Sequence, residues 1–186
     1  IVGKYGTQVQ AVLKKAETLD IQMLLPLHGF VWREELGYLL GKYDLWSRYE
    51  PEVRGVMIAY ASVYGGTENA ANVLACRLAE QGVQVKMFDV SVTPAPYVVS
   101  DAFKYSHLVF ASATYNMGIF VTMEDLLHDI AAHALADRRY ALIENGTWSP
   151  ASGKKMDALL SPLKGWSAVE PVLTVKSALR PDQAAQ

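Results

Sequence analysis

What this sequence lacks narrows its function before any motif is considered. It has one cysteine, Cys76, in a stretch that reads as helix, so neither a disulfide framework nor a multi-cysteine metal knot is available. That usage suits a reducing, cytoplasmic setting. Basic charge is not in excess: the formal net charge is -2, which offers nothing to nucleic acid or to an anionic membrane. No apolar run approaches the roughly 20 residues that cross a bilayer, and the opening IVGKYGTQVQ lacks the basic-then-apolar order of a secretory leader. The chain also lacks an initiating methionine and starts at Ile1, so it is expected to be a segment of something longer. Two nucleotide-binding signatures are missing as well, GxxxxGK[ST] and GxGxxG. Histidines are few and scattered. His128 and His133 lie five apart on one expected helix, a spacing that does not make a facing ligand pair. A lone histidine such as His28 is more often structural or solvated than a ligand, because iron and similar metals need several converging donors.

What is present is a length of 186 residues, 51% of them hydrophobic, enough for one packed domain or for one domain with a fragment of another. Val9, Val12, Leu13, Ala16 and Leu19 recur at helical spacing and predict an amphipathic helix over 7–19. Leu36, Leu39, Leu40 and Tyr43 predict a second over about 33–46, after which RYEPEVRG, 48–55, reads as a linker.

Beyond the linker, strands and helices alternate. VMIAYAS (56–62) and LVFASA (108–113) are continuously apolar, as central parallel strands are, whereas VQVKMFDV (83–90) alternates and suits an edge. RRYALIE (138–144) and AVEPVLTV (168–175) complete the set, and Pro171 within the last argues for an edge there too. Between them lie a helix over 68–82 stopped by Gly82, a helix that Thr122 is expected to cap with the stripe Met123, Leu126, Leu127, Ile130 and Ala134, and a helix through Met156, Leu159, Leu160 and Leu163. The pattern predicts an α/β fold: a doubly wound five-stranded parallel sheet of order 2-1-3-4-5. A sheet of this kind closes with a helix after its last strand, but SALRPDQAAQ is short and uncapped, so the final helix is expected to be missing.

Ligands of such sheets bind at the carboxyl ends of the strands. Three loops emerge there. The first, ASVYGGTEN (61–69), has Ser62, Gly65, Gly66 and Thr67 ahead of a helix N-terminus, a combination that holds a phosphate by neutral donors or merely caps a helix. The second, SATYNMGIF (112–120), offers Thr114, Tyr115 and Asn116 with Gly118 for close backbone approach. The third, ENGTWSPASG (144–153), has the turn pair Asn145-Gly146 and a tryptophan, Trp148, that so polar a loop cannot easily bury. An aromatic ring at each of the last two could stack on a planar heterocycle; for either ring alone, local packing is the ordinary explanation.

From about 54 to 177 the chain resembles a flavodoxin-type FMN domain, and in finer detail the flavodiiron proteins (A-type flavoproteins). Their phosphate loop S-x-[YW]-G-x-T is matched by Ser62, Tyr64, Gly65 and Thr67, and their second loop S-P-T-x-N-x-G by Ser112, Thr114, Asn116 and Gly118. Of the third, G-x-x-G-W-S-G, Trp148 and Ser149 remain. Ala113 replaces a proline, and Thr147 and Pro150 stand where glycines are usual. The resemblance implies FMN as cofactor. Ser62, Val63, Tyr64, Gly65, Gly66 and Thr67 would hold its phosphate, Ser112, Ala113, Thr114, Tyr115, Asn116 and Gly118 its ribityl chain and one ring edge, and Asn145, Gly146, Thr147, Trp148 and Ser149 the other edge.

Upstream, Pro26, His28, Gly29 and Trp32 fall into a P-x-H-G-x-x-W stretch that in this family supplies the last histidine of a non-haem diiron centre. Residues 1–50 thus resemble the carboxyl-terminal end of a metallo-β-lactamase-like domain, and 51–186 the FMN domain. The remaining ligands of that centre belong to an H-x-[EH]-x-D-H cluster and further residues earlier in the family's chains, so the diiron site is implied only for a full-length parent, and no catalytic residue is assigned here. The implied parent is an oxidoreductase reducing dioxygen or nitric oxide, fed by a rubredoxin-like or other reductase and working as a homodimer; this chain alone would be its flavin-binding part. Two alternatives stay open: a free-standing flavodoxin-like carrier or flavin reductase, and a flavin-free module that binds a protein partner.

Overall fold

The structure, a computed structural model, describes residues 2–184. Five parallel strands form the sheet: β1 (Val53–Ala61), β2 (Val85–Asp89), β3 (Tyr105–Tyr115), β5 (Arg139–Asn145) and β6 (Ser167–Val175), ordered β2-β1-β3-β5-β6. The two-residue β4 (Gly118–Ile119) folds back antiparallel on β3. Counting only the five long strands, this is the expected order, with the two strands expected at the edges lying there. The shift in β5–β6 register between Ala141 and Ile143 falls opposite Pro171, which has no N–H for the ladder.

The strands are longer than their apolar runs suggest, because pairing continues where hydrophobicity ends. Val53 pairs with Tyr105, so β1 starts three residues early and the linker shrinks to 48–52. Even that is tied down: Glu52 accepts hydrogen bonds from the Trp46 indole (2.6 Å) and from Lys42.

Side chains alternate between the faces of the sheet. Met57, Ala59 and Ala61 join the larger core with Phe110, Leu126, Leu127 and Met156; Val56 and Ile58 join the smaller one with Ala70, Ala71, Val109 and Ile143. The smaller is covered by α3 (Gly66–Glu80), and the larger by α4 (Ala95–Lys104), α5 (Val121–Ala132) and α6 (Ser152–Leu160). Helix α3 ends as expected, with Gly82 at φ +77 just beyond it.

Two local expectations need correction. Residues 91–107 carry no assigned element in the sequence, yet α4 lies there, with Val98, Val99, Ala102 and Phe103 buried on one face and Pro94 and Pro96 at its start. Thr122 does not cap α5. Pairing of Ile119 with Thr114 fixes where the chain leaves the sheet, so Phe120, extended at φ -63 and ψ 135, is the N-cap. Thr122 falls inside the helix, its buried Oγ1 without a hydrogen-bond partner.

Residues 2–50 form α1 (Gly6–Ala16), a two-bond hairpin between Leu24 and Trp32, and α2 (Leu36–Ser47). Both helices are shorter than predicted; α2 starts late because Glu35 sits at φ +51. Beyond β6 the described residues contain a single helical turn, α7 (Pro181–Ala184).

At the opposite end of the sheet from the ligand loops, His107 on β3 bonds Ser106 through Nδ1 (2.8 Å). Burial, with Arg139 and Arg54 nearby, holds its imidazole below the usual range. The unfolded chain takes up a proton near pH 6.5, while the folded chain resists. The stability conferred by the neutral ring is therefore complete above that value and is lost as pH falls through the lower folded value. Acidification from about pH 7.5 to about 5.5 should lower the melting temperature of wild type more than that of His107→Gln; equal slopes for the two would exclude His107 as a source of the acid sensitivity.

Candidate functional site

At the switch point, α3 leaves β1 toward one face and the chain leaving β3 turns toward the other, which opens a cleft at the carboxyl edge. Its volume is about 310 Å³, and it is lined by Ser62, Val63, Tyr64, Gly66 and Thr67 from the first loop, Ala113 and Thr114 from the second, and Asn145, Gly146 and Thr147 from the third. Ten of the expected site residues are thus brought to one place. Ser177 and Ala178, which follow β6, line it too. They were not anticipated, although the carboxyl-end rule, applied to the last strand as to the others, points to them.

The first loop is built to present donors. Gly65, at φ +83, turns the chain into α3. Its N–H donates to Ser62 Oγ at 3.1 Å, which leaves the Ser62 hydroxyl hydrogen free to donate elsewhere. The first N–H groups of α3 have no carbonyl within the helix to bond and carry its positive partial charge. Among the described residues, no charged side chain lines the cleft. At the end of β1, burial and then the Glu68 and Asp89 carboxylates push the Tyr60 phenol above its usual value, so it stays neutral.

Several other expected ligand groups have structural occupations. Ser112 is fully buried; its Oγ accepts from Phe120 N–H (3.2 Å) and donates to the Ala113 carbonyl (3.0 Å). Thr114 Oγ1 accepts from the N–H groups of Ala151 (3.0 Å) and Ser152 (3.2 Å), and so caps α6. Asn145 is bonded to the backbone of Ser177. Asn116 and Met117, at φ +47 and +59, are the turn of the β3–β4 hairpin, a posture that asparagine adopts readily. Tyr115, Asn116, Gly118, Trp148 and Ser149 stand outside the cleft lining, as does Gly65.

Two aromatic rings near the cleft are bare. Tyr64 is 98% and Trp148 95% exposed, while Tyr115, partly exposed, rests edge-on against Phe120 at 5.8 Å. Neutral donors at a helix N-terminus suit a phosphate monoester, and unstacked flat rings beside it suit a planar heterocycle. The donor set and the open faces fit FMN.

His28 is exposed at the tip of the 24–32 hairpin, far in sequence from any of these loops. Among the described residues, no group of three or more His, Cys, Asp or Glu side chains is placed to hold a metal ion, and no helix is long and apolar enough to cross a membrane. A larger groove of about 570 Å³ runs between α1 and α2, lined chiefly by apolar side chains such as Val12, Leu13, Leu19 and Leu40.

Comparison with known proteins bears on both parts. The flavodoxin family model matches residues 58–185. A nitric oxide reductase of Moorella thermoacetica is 26% identical over 158 residues, covering 85% of this chain and 39% of that protein. An anaerobic nitric oxide reductase flavorubredoxin of Shigella flexneri is 25% identical over 169 residues, 90% of this chain and 34% of that one. In structure, the flavodiiron protein from Giardia intestinalis superposes over 100% of this chain and 46% of its own at a TM-score of 0.92 and 21% identity, a likeness of fold that includes the first 50 residues. The chain spans no more than about two fifths of the length of these curated relatives.

Proposed function

Because the chain belongs to the flavodoxin family, which implies FMN as its cofactor, we propose that it is the FMN-binding, electron-transfer domain of a flavodiiron-type oxidoreductase. The observation that carries the flavin reading is the cleft itself, in which neutral donors and a helix N-terminus converge beside two bare aromatic rings. Bound there, FMN would supply the redox chemistry. The chain's own residues bind and orient it. The Ser62 hydroxyl, the Thr67 hydroxyl and the first amides of α3 hold the phosphate; Ser112 and Thr114 act indirectly, by fixing the shape of the second loop; Tyr64 and Trp148 offer faces to the ring.

The relatives support a reading of the larger assembly. Similarity to a nitric oxide reductase flavorubredoxin covers 90% of the chain and so reaches into the first 50 residues, and the apolar groove between α1 and α2 supports their packing against further polypeptide. We read 1–50 as the end of a metallo-β-lactamase-like domain and 51–186 as the FMN domain. His28 is then one ligand of a diiron centre whose other ligands belong to a longer chain, working in the cytoplasm as a homodimer that reduces nitric oxide or dioxygen with electrons from a rubredoxin-like or other reductase. A free-standing carrier would have no use for the apolar groove of the first 50 residues.

Titration of the protein with FMN, followed by quenching of flavin fluorescence, tests the core of this reading. Wild type should bind. Ser62→Ala/Thr67→Ala should bind more weakly by about a hundredfold, since a hydrogen bond to a charged group contributes about 1.5–3 kcal/mol. If wild type and the double variant retain equally little FMN, the phosphate-loop reading fails and the flavin-free interaction module becomes the better account.

A further inference from the structure

The cleft has a wall beyond the three loops expected of it. Asn145 is the last residue of β5, and its side chain crosses to the chain leaving β6. There Nδ2 donates to the Ser177 carbonyl at 3.0 Å, and Oδ1 accepts from the Ser177 N–H at 2.9 Å. This two-way bond holds Ser177 at φ +71, a posture that a residue with a side chain seldom keeps without outside help. The segment is also held from behind: Gln183 Nε2 donates to the Thr174 carbonyl at 2.7 Å, and the Arg180 N–H donates to Gln183 Oε1 at 3.2 Å.

The held loop lies at a particular end of the cleft. Gly66 is the first residue of α3, where the unbonded amides point. A Cβ on Gly66 would stand 2.0 Å from the Ser177 carbonyl oxygen and 3.0 Å from Asn145 Nδ2, so both groups rest directly on that helix start. Ser177 and Ala178 complete the lining on this side. The Ser177 side chain is exposed, and its hydroxyl has no hydrogen-bond partner among the described residues. A group bound at the N-terminus of α3 would therefore adjoin the loop at Ser177 and Ala178 as well as Ser62 and Thr67.

We infer that residues 176–179 form a fourth wall of the site at its phosphate end, and that Asn145 is a positioning residue acting through them. This deepens the FMN reading and rests on it. It changes the role of Asn145 from a contact with the flavin ring to a clamp on the loop that borders the phosphate. It also makes the chain beyond the last strand part of the binding site.

The test compares FMN with riboflavin, which has the same ring and ribityl chain but no phosphate. Both are titrated, at low ionic strength, into wild type, Asn145→Ala, Ser177→Lys and Ser177→Glu. The lysine should tighten FMN by about three- to tenfold and the glutamate should loosen it by a similar factor, with the gap closing as salt is added. Riboflavin should change by less than about twofold in both, because its bound end carries no charge. Asn145→Ala should loosen FMN about tenfold and riboflavin much less, a difference that a general loss of fold does not produce. The charge variants alter an exposed side chain, so they report on the loop even if Asn145→Ala folds poorly. Wild type that binds FMN while both charge variants keep its ratio of FMN to riboflavin affinity would overturn the fourth wall and leave the FMN reading standing. Wild type that binds neither flavin would overturn both.

Discussion

Arg138→Met should lower the unfolding free energy by about 3–5 kcal/mol and be the most destabilising single change outside the two cores. Arg138 is 1% exposed, among the largest fully buried side chains, and among the described residues no carboxylate forms a salt bridge with it. Its guanidinium donates instead to backbone carbonyls: Nε to Ala102 (3.1 Å), Nη2 to Phe103 (2.7 Å), and Nη1 to Tyr49 (2.6 Å), Ala136 (3.0 Å) and Asp137 (3.1 Å). Burial pushes its pKa down to about 10, with Asp137 opposing the shift, so it remains a cation at neutral pH. Two of the acceptors are carbonyls at the end of α4, where the helix carries negative partial charge. A third, Tyr49, belongs to the segment that joins residues 2–50 to the sheet. Methionine fills much of the volume but leaves these carbonyls buried without donors, at about 1–3 kcal/mol for each that water cannot reach. Chemical denaturation measures the loss, and limited proteolysis should show cleavage near Tyr49 before the sheet opens. A loss under about 1 kcal/mol would mean that water or rearranged backbone replaces the guanidinium easily.

Gly66→Ala should abolish measurable FMN binding while leaving the sheet folded. Alanine at the first position of a helix is by itself favourable, by up to about 1 kcal/mol over glycine. Any loss must therefore come from the added methyl group, which would stand 2.0 Å from the Ser177 carbonyl oxygen. The obstacle is backbone clamped by Asn145 rather than the end of a flexible chain, so either the 176–179 loop or the start of α3 must move. Each movement spoils the phosphate end of the cleft. Loss of FMN affinity by more than about a hundredfold, with a stability cost of about 1–3 kcal/mol, is the expected result. Unchanged affinity would show that the loop yields without consequence and that the tight contact at Gly66 is incidental. Gly65→Ala is the companion measurement: its Cβ would enter open space, and its cost should come from φ +83 alone.

The sheet order was legible because it rests on averages. Continuous apolar runs mark strands buried on both faces, alternating runs mark edges, and crossover handedness leaves few ways to arrange them. The carboxyl-edge location of the cleft followed from the same order. Helix α4 was legible in principle, since Val98, Val99, Ala102 and Phe103 have helical spacing after a proline start. The short window between strong strands obscured it. Thr122 shows a different limit. Its residue type suits a cap, but pairing of Ile119 with Thr114 set the helix start two residues earlier than a Thr122 cap would require.

By itself the sequence determined the chemistry available at the cleft: hydroxyls, glycines, a helix start without cations, and aromatic rings in polar loops. Those properties belong to residue types and their order along the chain. Which of the polar groups remain free was decided only by the tertiary structure. Ser112, Thr114 and Asn145 have the right atoms for a ligand, yet their hydrogen bonds go to Phe120, to the start of α6 and to Ser177. A buried polar group must be bonded by whatever comes near, and its neighbour in each case lies 8 to 37 residues away in the chain. For the same reason the loop after β6 entered the site unannounced, and His28 is exposed on a hairpin outside any cluster of three or more potential metal ligands among the described residues. Residue type fixes what a side chain can bond, and the packed fold fixes what it does bond.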